Sequence, residues 1–261
     1  MRMRRTIIGL LAGAIATSGG VALAATSTGG GLQTGNVSLK VLAPTPNQVV
    51  RGPFLNLRVL ARGYKLDAYY AGTPVQAYIG HYHEILDGKL VDMTPLQGPT
   101  RDTISMVGVT RGKHVLTLVP ARNDHSMVMS KAVMIPFRYE GPYRPQPAGY
   151  TGTGKPSITI ISPKASSTVQ GISFNMTARV SNFVFCQDCF AKRLVAGEGH
   201  WHIFADKVNM AHMLTMAGGT TQTVPIKGLT RGWHTFYALL VDNHHMPIMP
   251  MTMASVRLLV Q

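Results

Sequence analysis

Gly80-His81-Tyr82-His83 and Gly199-His200-Trp201-His202 are two versions of one stretch, and each is followed by matching downstream pieces. The first continues to Thr110-Arg111-Gly112-Lys113-His114 and then Asn123-Asp124-His125; the second continues to Thr230-Arg231-Gly232-Trp233-His234 and then Asn243-His244-His245. The block from Thr110 to His125 aligns with that from Thr230 to His245 without a gap. Eight of the 10 histidines stand at these paired positions, and only His212 and His244 lie outside them. A chain that repeats itself at this length is two copies of one structural unit.

Working outward, each copy reads as short strands separated by turn signals. Residues 37–43 alternate apolar and polar, as a half-buried strand does, and residues 44–47 turn. Strands are also predicted at 54–61, at 75–86 around the first His-x-His, and at 103–109, 113–121 and 131–139. Asp87-Gly88 is a hairpin turn. From Ser157 the plan runs again: Ser162-Pro163 matches Ala43-Pro44, Gly171 matches Gly52, Asn175 matches Asn56 and Asp206 matches Asp87. Residues 141–156, dense in Gly and Pro, can form neither helix nor sheet interior and read as a linker. No amphipathic helix is evident. The prediction is an all-β chain of two tandem Ig-like β-sandwich domains, 37–140 and 157–261, with about seven strands each.

The Gly-His-x-His strand, the Gly-x-His at a later strand start and the Asn/Asp-x-His beyond it resemble a family of exported bacterial Ig-like domains. That family carries a Gly-His-His-His-type strand and has no assigned activity. The resemblance implies the sandwich fold and export. The middle histidine of that motif is replaced here by Tyr82 and Trp201.

Export is also legible in the residues. Arg2, Arg4 and Arg5 precede a short apolar run at 7–16, and Ala22-Leu23-Ala24 is a cleavage signal. Residues 1–24 thus read as a signal peptide and 25–36 as a flexible leader, which puts the mature chain in the periplasm or outside the cell. No later stretch is long and apolar enough for a transmembrane anchor. The formal charge is +14, and cleavage removes three arginines. The remaining Lys and Arg residues are scattered, without the aromatic interleaving of a nucleic-acid site. Cys186 and Cys189, the only cysteines, suit a local disulfide in an oxidising compartment, with metal thiolates the alternative.

The histidine pattern carries the candidate chemistry. In a strand, alternate side chains share a face, so His81 and His83 point one way, as do His200 and His202. An Ig topology places these pairs toward the strand end that carries His125 in the first copy and His244 and His245 in the second. The chain holds 15 methionines, and Met246 and Met249 stand in a proline-broken run just past His245. Imidazole together with thioether selects copper, Cu(I) above all. The expected ligands are therefore His81, His83 and His125 in the first copy, and His200, His202, His244, His245, Met246 and Met249 in the second. Tyr82 and Trp201 would face away from the metal. The competing reading for each histidine is structural: His114 and His234 follow a turn glycine and suit hydrogen bonds to the turn, and His125 and His245 could cap one.

Enzyme signatures are missing. Neither cysteine has the His and Met sequel of a blue-copper site, acids number only 11, and no Gly-x-Ser-x-Gly or phosphate loop occurs. The expected function is binding of a metal ion, for copper sequestration or transfer. The alternative is a metal-free envelope or surface module that binds another envelope protein or a polysaccharide, alone or within an assembly.

Overall fold

The computed structural model describes residues 37–93 and 100–261. The signal-peptide and leader assignments, 1–24 and 25–36, lie outside the described residues.

The first copy contains β1 (Ser38–Ala43), β2 (Gln48–Val50), β3 (Phe54–Arg62), β4 (Lys65–Leu66), β5 (Ile79–Leu86), β6 (Lys89–Asp92), β7 (Arg101–Ser105), β8 (Gly112–Arg122) and β9 (Val133–Tyr139). The second contains β10 (Ser157–Ser162), β11 (Thr168–Val169), β12 (Ser173–Ser181), β13 (Val184–Phe185), β14 (Glu198–Ala205), β15 (Met213–Ala217), β16 (Thr221–Pro225), β17 (Gly232–Asp242) and β18 (Met253–Val260). The pairing is the same in both. A three-stranded sheet, β1-β3-β7 or β10-β12-β16, faces a larger one ordered β2-β9-β8-β5-β4 or β11-β18-β17-β14-β13, with β6 or β15 on the free part of the histidine strand. Both copies are Ig-like β-sandwiches, and the helical turns among the described residues are short 3-10 turns.

Among the described residues each copy has nine strands rather than about seven, because the two- and three-residue pieces β2, β4, β11 and β13 are too short to leave a periodic pattern. The strand expected at 103–109 ends at Ser105, where Met106 and Val107 turn inward and are buried. Residues 141–156 form no strand, as expected. They are held in place: the Gln146 amide donates to the Arg193 carbonyl at 2.9 Å and accepts from the Arg193 N–H at 3.0 Å.

Alternation builds the cores. In β3, Leu55, Leu57 and Val59 point inward while Asn56 and Arg58 point out. They meet Tyr82, Leu116, Leu118 and Phe137 from the larger sheet. In the second copy Trp201, Ile203, Phe236 and Leu240 meet Met176, Ala178 and Val224. Each such side chain contributes roughly 1.5–3 kcal/mol on burial. Trp201 also donates its indole N–H to the Gly219 carbonyl at 2.8 Å. Tyr82 and Trp201 thus occupy the cores, on the face opposite the histidines.

The histidine strands break the one-sided rule. All eight residues of β14 are buried, as are six of eight in β5. An antiparallel sheet usually leaves one face to water. Here that face is covered by the other copy. Met93 from the first copy packs with Phe190, Phe204, Met213, Met216, Leu239 and Val241 of the second, with Leu90 alongside. At the edge of this contact, Lys227 Nζ donates to Asp67 Oδ2 at 2.8 Å and lies 5.1 Å from the centre of the Tyr70 ring.

Candidate metal centres

The glycine that opens each motif has a steric cause. A Cβ on Gly80 would meet the carbonyl oxygen of Ala121, and one on Gly199 that of Val241. Glycine therefore lets β5 and β14 seat fully against the ends of β8 and β17. The resulting registers are His81 opposite Ala121, His83 opposite Val119, His200 opposite Val241 and His202 opposite Leu239. The start of each histidine strand lies beside the end of its neighbour, and the tight turn after that neighbour supplies a third histidine.

That third residue has an unusual backbone. His125 has φ 63° and His245 has φ 65°, the left-handed region that bulky residues seldom occupy. Both lie in turns closed by short bridges, Ala121 to Met127 and Val241 to Pro247. In the second turn Asp242 Oδ1 accepts the N–H groups of His244 and Met246 at 2.8 and 3.0 Å. In the first, Asp124 Oδ1 accepts from the Ser126 N–H and hydroxyl. The twist at the histidine turns its ring back over the strand pair.

Three ring nitrogens converge in each copy. His81 Nε2 lies 3.2 Å from His83 Nε2 and 3.2 Å from His125 Nδ1, which is 3.3 Å from His83 Nε2. In the second copy His200 Nε2 lies 3.1 Å from His202 Nε2 and 3.0 Å from His245 Nδ1, and His202 Nε2 is 3.3 Å from His245 Nδ1. The point equidistant from such a triad is about 1.8–1.9 Å from each nitrogen, close to the roughly 2.0 Å of a metal–imidazole bond.

The tautomer of the third ring is fixed across the domain contact. His125 Nε2 donates to the Met213 carbonyl at 2.7 Å, and His245 Nε2 donates to the Leu90 carbonyl at 2.8 Å. A carbonyl only accepts, so each Nε2 carries the proton and each Nδ1 presents a bare lone pair to its triad. The arrangement is reciprocal. Leu90 pairs with Ile85 and Met213 with Phe204, two residues past His83 and His202 respectively, so each copy offers the other the same hairpin position.

Electrostatics keep the rings neutral. Burial is the main cause, and it holds His81, His83, His200 and His202 well below the ordinary imidazole value. It brings His125 to about 4 and lowers His245. The first histidine of each pair keeps Nδ1 buried without a partner, so packing orients its ring. For His200 the packing partner is Phe190, with ring centres 4.2 Å apart.

The remaining candidates are elsewhere. His244 is exposed, because the left-handed turn at His245 sends the neighbouring side chain outward. Met246 and Met249 are 60% and 77% exposed, whereas the triads are enclosed. The structure therefore gathers six of the seven expected histidines and leaves His244, Met246 and Met249 on the outer side of the turn. Cys186 and Cys189 form a disulfide, so neither sulfur is a free thiolate. His114 and His234 have both nitrogens committed: Nδ1 to Asp87 or Asp206 at 2.7 Å, and Nε2 to the Thr110 or Thr230 carbonyl at 2.8 Å. These two fasten strand starts to turns. His212 Nδ1 faces Asn209 Oδ1 at 2.9 Å.

Two buried methionines stand closer to the chemistry than the exposed ones. Met216 is directly opposite His202 across the β14–β15 pair. Met93 follows Asp92, which is opposite Glu84, so the same register carried one residue further puts Met93 opposite His83. The sequence signal for both is their place just after the hairpin that follows each His-x-His, and Met216 also falls in a Met/His group with Met210, His212 and Met213.

No protein-family model matches the chain, and no curated protein matches it in sequence. Among solved structures, the fibronectin(III)-like modules of Clostridium thermocellum CbhA are similar at 15% identity, with a TM-score of 0.28, over 85% of this chain and 94% of that one. The N-terminal four Ig domains of Dscam1 isoform 8.4 are similar at 11% identity and TM-score 0.22, over 87% of this chain and 47% of that one. Bacteroides ovatus SGBP-B, solved with a mixed-linkage heptasaccharide, is similar at 8% identity and TM-score 0.24, over 86% and 70%. Likenesses this distant carry no functional inference. Among the described residues no helix is long and apolar enough to cross a membrane.

Proposed function

We propose that this protein binds a metal ion in each of its two three-histidine centres, and that it serves in copper sequestration or transfer. One observation carries the reading: in each copy three imidazole nitrogens lie within 3.0–3.3 Å of one another. Protons cannot satisfy such a triangle. The third ring has a bare Nδ1, and each of the other two rings has at most one proton to point inward. An N–H nitrogen has no lone pair left to accept with, so at least one of the three contacts is always unmade. Protonating a ring further is opposed by burial. A cation at the centre engages all three lone pairs at once. The cross-domain N–H···O=C bonds are the outer support that metal-ligating histidines need.

Three imidazoles suit copper or zinc rather than calcium or magnesium, which require oxygen ligands. Export, as read from residues 1–24, would place the chain where free copper must be bound. The alternative, a module binding protein or polysaccharide through its loops, gives no reason for five buried histidines and the half-buried His245 to meet in two triads. The test is retention of metal. Purified full-length mature protein is equilibrated with Cu(I), Cu(II) or Zn(II), desalted and assayed for bound metal. The expected result is two copper ions retained per chain; none retained would overturn the reading.

A further inference from the structure

We infer that Met93 and Met216 supply a thioether to the first and second centre respectively, and that both centres are thereby made selective for a monovalent soft ion, Cu(I). This rests on the metal reading above and adds to it the residues that decide which ion is held.

The first argument is position. Residues directly opposite in an antiparallel pair share a face and have Cβ atoms about 4.5–5.5 Å apart, within reach of a long side chain. Met216 stands so against His202, and the register places Met93 so against His83. Neither is a solvent-facing residue: Met93 is 2% exposed and Met216 5%. They belong to one apolar cluster between the domains, so each side chain packs on the sheet face that carries the triads. The two positions are equivalent in the duplicated fold, as are the two triads.

The second argument is charge. The triads consist of histidine alone, with no carboxylate or thiolate grouped with them among the described residues. The ligands are neutral, so no charge within the ligand set cancels that of the ion. The cost of burying an ion grows as the square of its charge, so a monovalent ion meets roughly a quarter of the penalty of a divalent one. Imidazole plus thioether, without an anion, is the donor set of a soft monovalent metal.

The test uses the full-length mature chain with Met93→Leu and Met216→Leu, singly and together; the volume is nearly unchanged, so the interface stays filled. Cu(I) affinity is measured anaerobically against a chromophoric chelator, Zn(II) affinity in parallel, and X-ray absorption is recorded on the Cu(I)-loaded protein. The inference expects each substitution to weaken Cu(I) binding at one centre by about tenfold or more. It also expects Zn(II) binding to change little, and a copper–sulfur shell to be present in the wild type and lost in the double variant. Met249→Leu, at an exposed position, is the control and leaves all three readings unchanged. If the wild type binds two Cu(I) ions with no sulfur shell, and the double variant binds them equally well, the thioether role is wrong while the histidine centres stand. If the wild type binds no Cu(I), the metal reading itself fails. Melting curves confirm that each variant is folded; should Leu disturb folding, the sulfur shell of the wild type alone decides.

Discussion

At the residue scale, the same side chain does two different jobs here, and its acceptors tell them apart. His114 and His234 face an aspartate on one side and a carbonyl on the other, so they are fasteners. His81, His83, His125, His200, His202 and His245 turn a nitrogen toward other imidazoles and are kept neutral by burial. This has a consequence for acid stability. The folded-state values lie below the ordinary 6.5, at about 4 for His125. Between those values the unfolded chain binds more protons than the folded one, so stability is full above pH 6.5 and is lost as the pH falls toward 4. His125 alone accounts for a loss on the order of 3 kcal/mol. Denaturant melts of metal-free protein at pH 7.5, 6, 5 and 4 check this, with His125→Asn/His245→Asn as comparison. Asparagine tolerates the left-handed backbone and does not titrate, so that variant should show a shallower decline. An equally steep decline would mean the triads do not govern acid sensitivity.

At the element scale, the turn after β8 and β17 decides whether two histidines become three. The His-x-His pair follows from strand alternation alone, but the third ring reaches the pair only because the backbone twists to positive φ at His125 and His245. In the second copy Asp242 maintains that twist by accepting two turn N–H groups. Asp242→Ala should therefore lower metal affinity at the second centre about 10–100-fold while leaving the first intact, as loss of outer support does at metal sites. Competition titration with the two centres resolved reads this out; equal weakening at both, or none, would contradict the role given to the turn. Much of this was legible in the sequence. The duplication, the Gly/Pro-rich linker and the shared face of His81 and His83 follow from spacing and strand period, and the Ig topology puts His125 at the same end of the sheet. The gapless repeat already matched His245 to His125 and left His244 unpaired, and the structure agrees: His245 takes the left-handed position and His244 is exposed. Met246 and Met249 looked like ligands because proline breaks their run, but a broken strand beyond a turn faces solvent. The pairing of Met93 and Met216 with the histidine strands was obscured because that register depends on a bulge, between Glu84 and Ile85 or between Ile203 and Phe204.

At the scale of the whole molecule, two sandwiches meet through the sheet faces that carry their histidines, and each lends the other a backbone carbonyl. The sequence showed two units but not their contact. Its trace was the unbroken burial of β14, where a one-sided strand would alternate. Because His125 is oriented by Met213 and His245 by Leu90, the centres belong to the docked pair rather than to either domain alone. The central claim is that six imidazoles, in two triads, form two separate metal centres. The most direct measurement is a stoichiometric Cu(I) titration of the full-length chain and of three variants: His81→Asn/His83→Asn, His200→Asn/His202→Asn, and all four substitutions together. The account predicts two ions per chain for the wild type, one for each paired variant and none for the fourfold variant. Two ions still bound after all four substitutions, or none bound by the wild type, would contradict it.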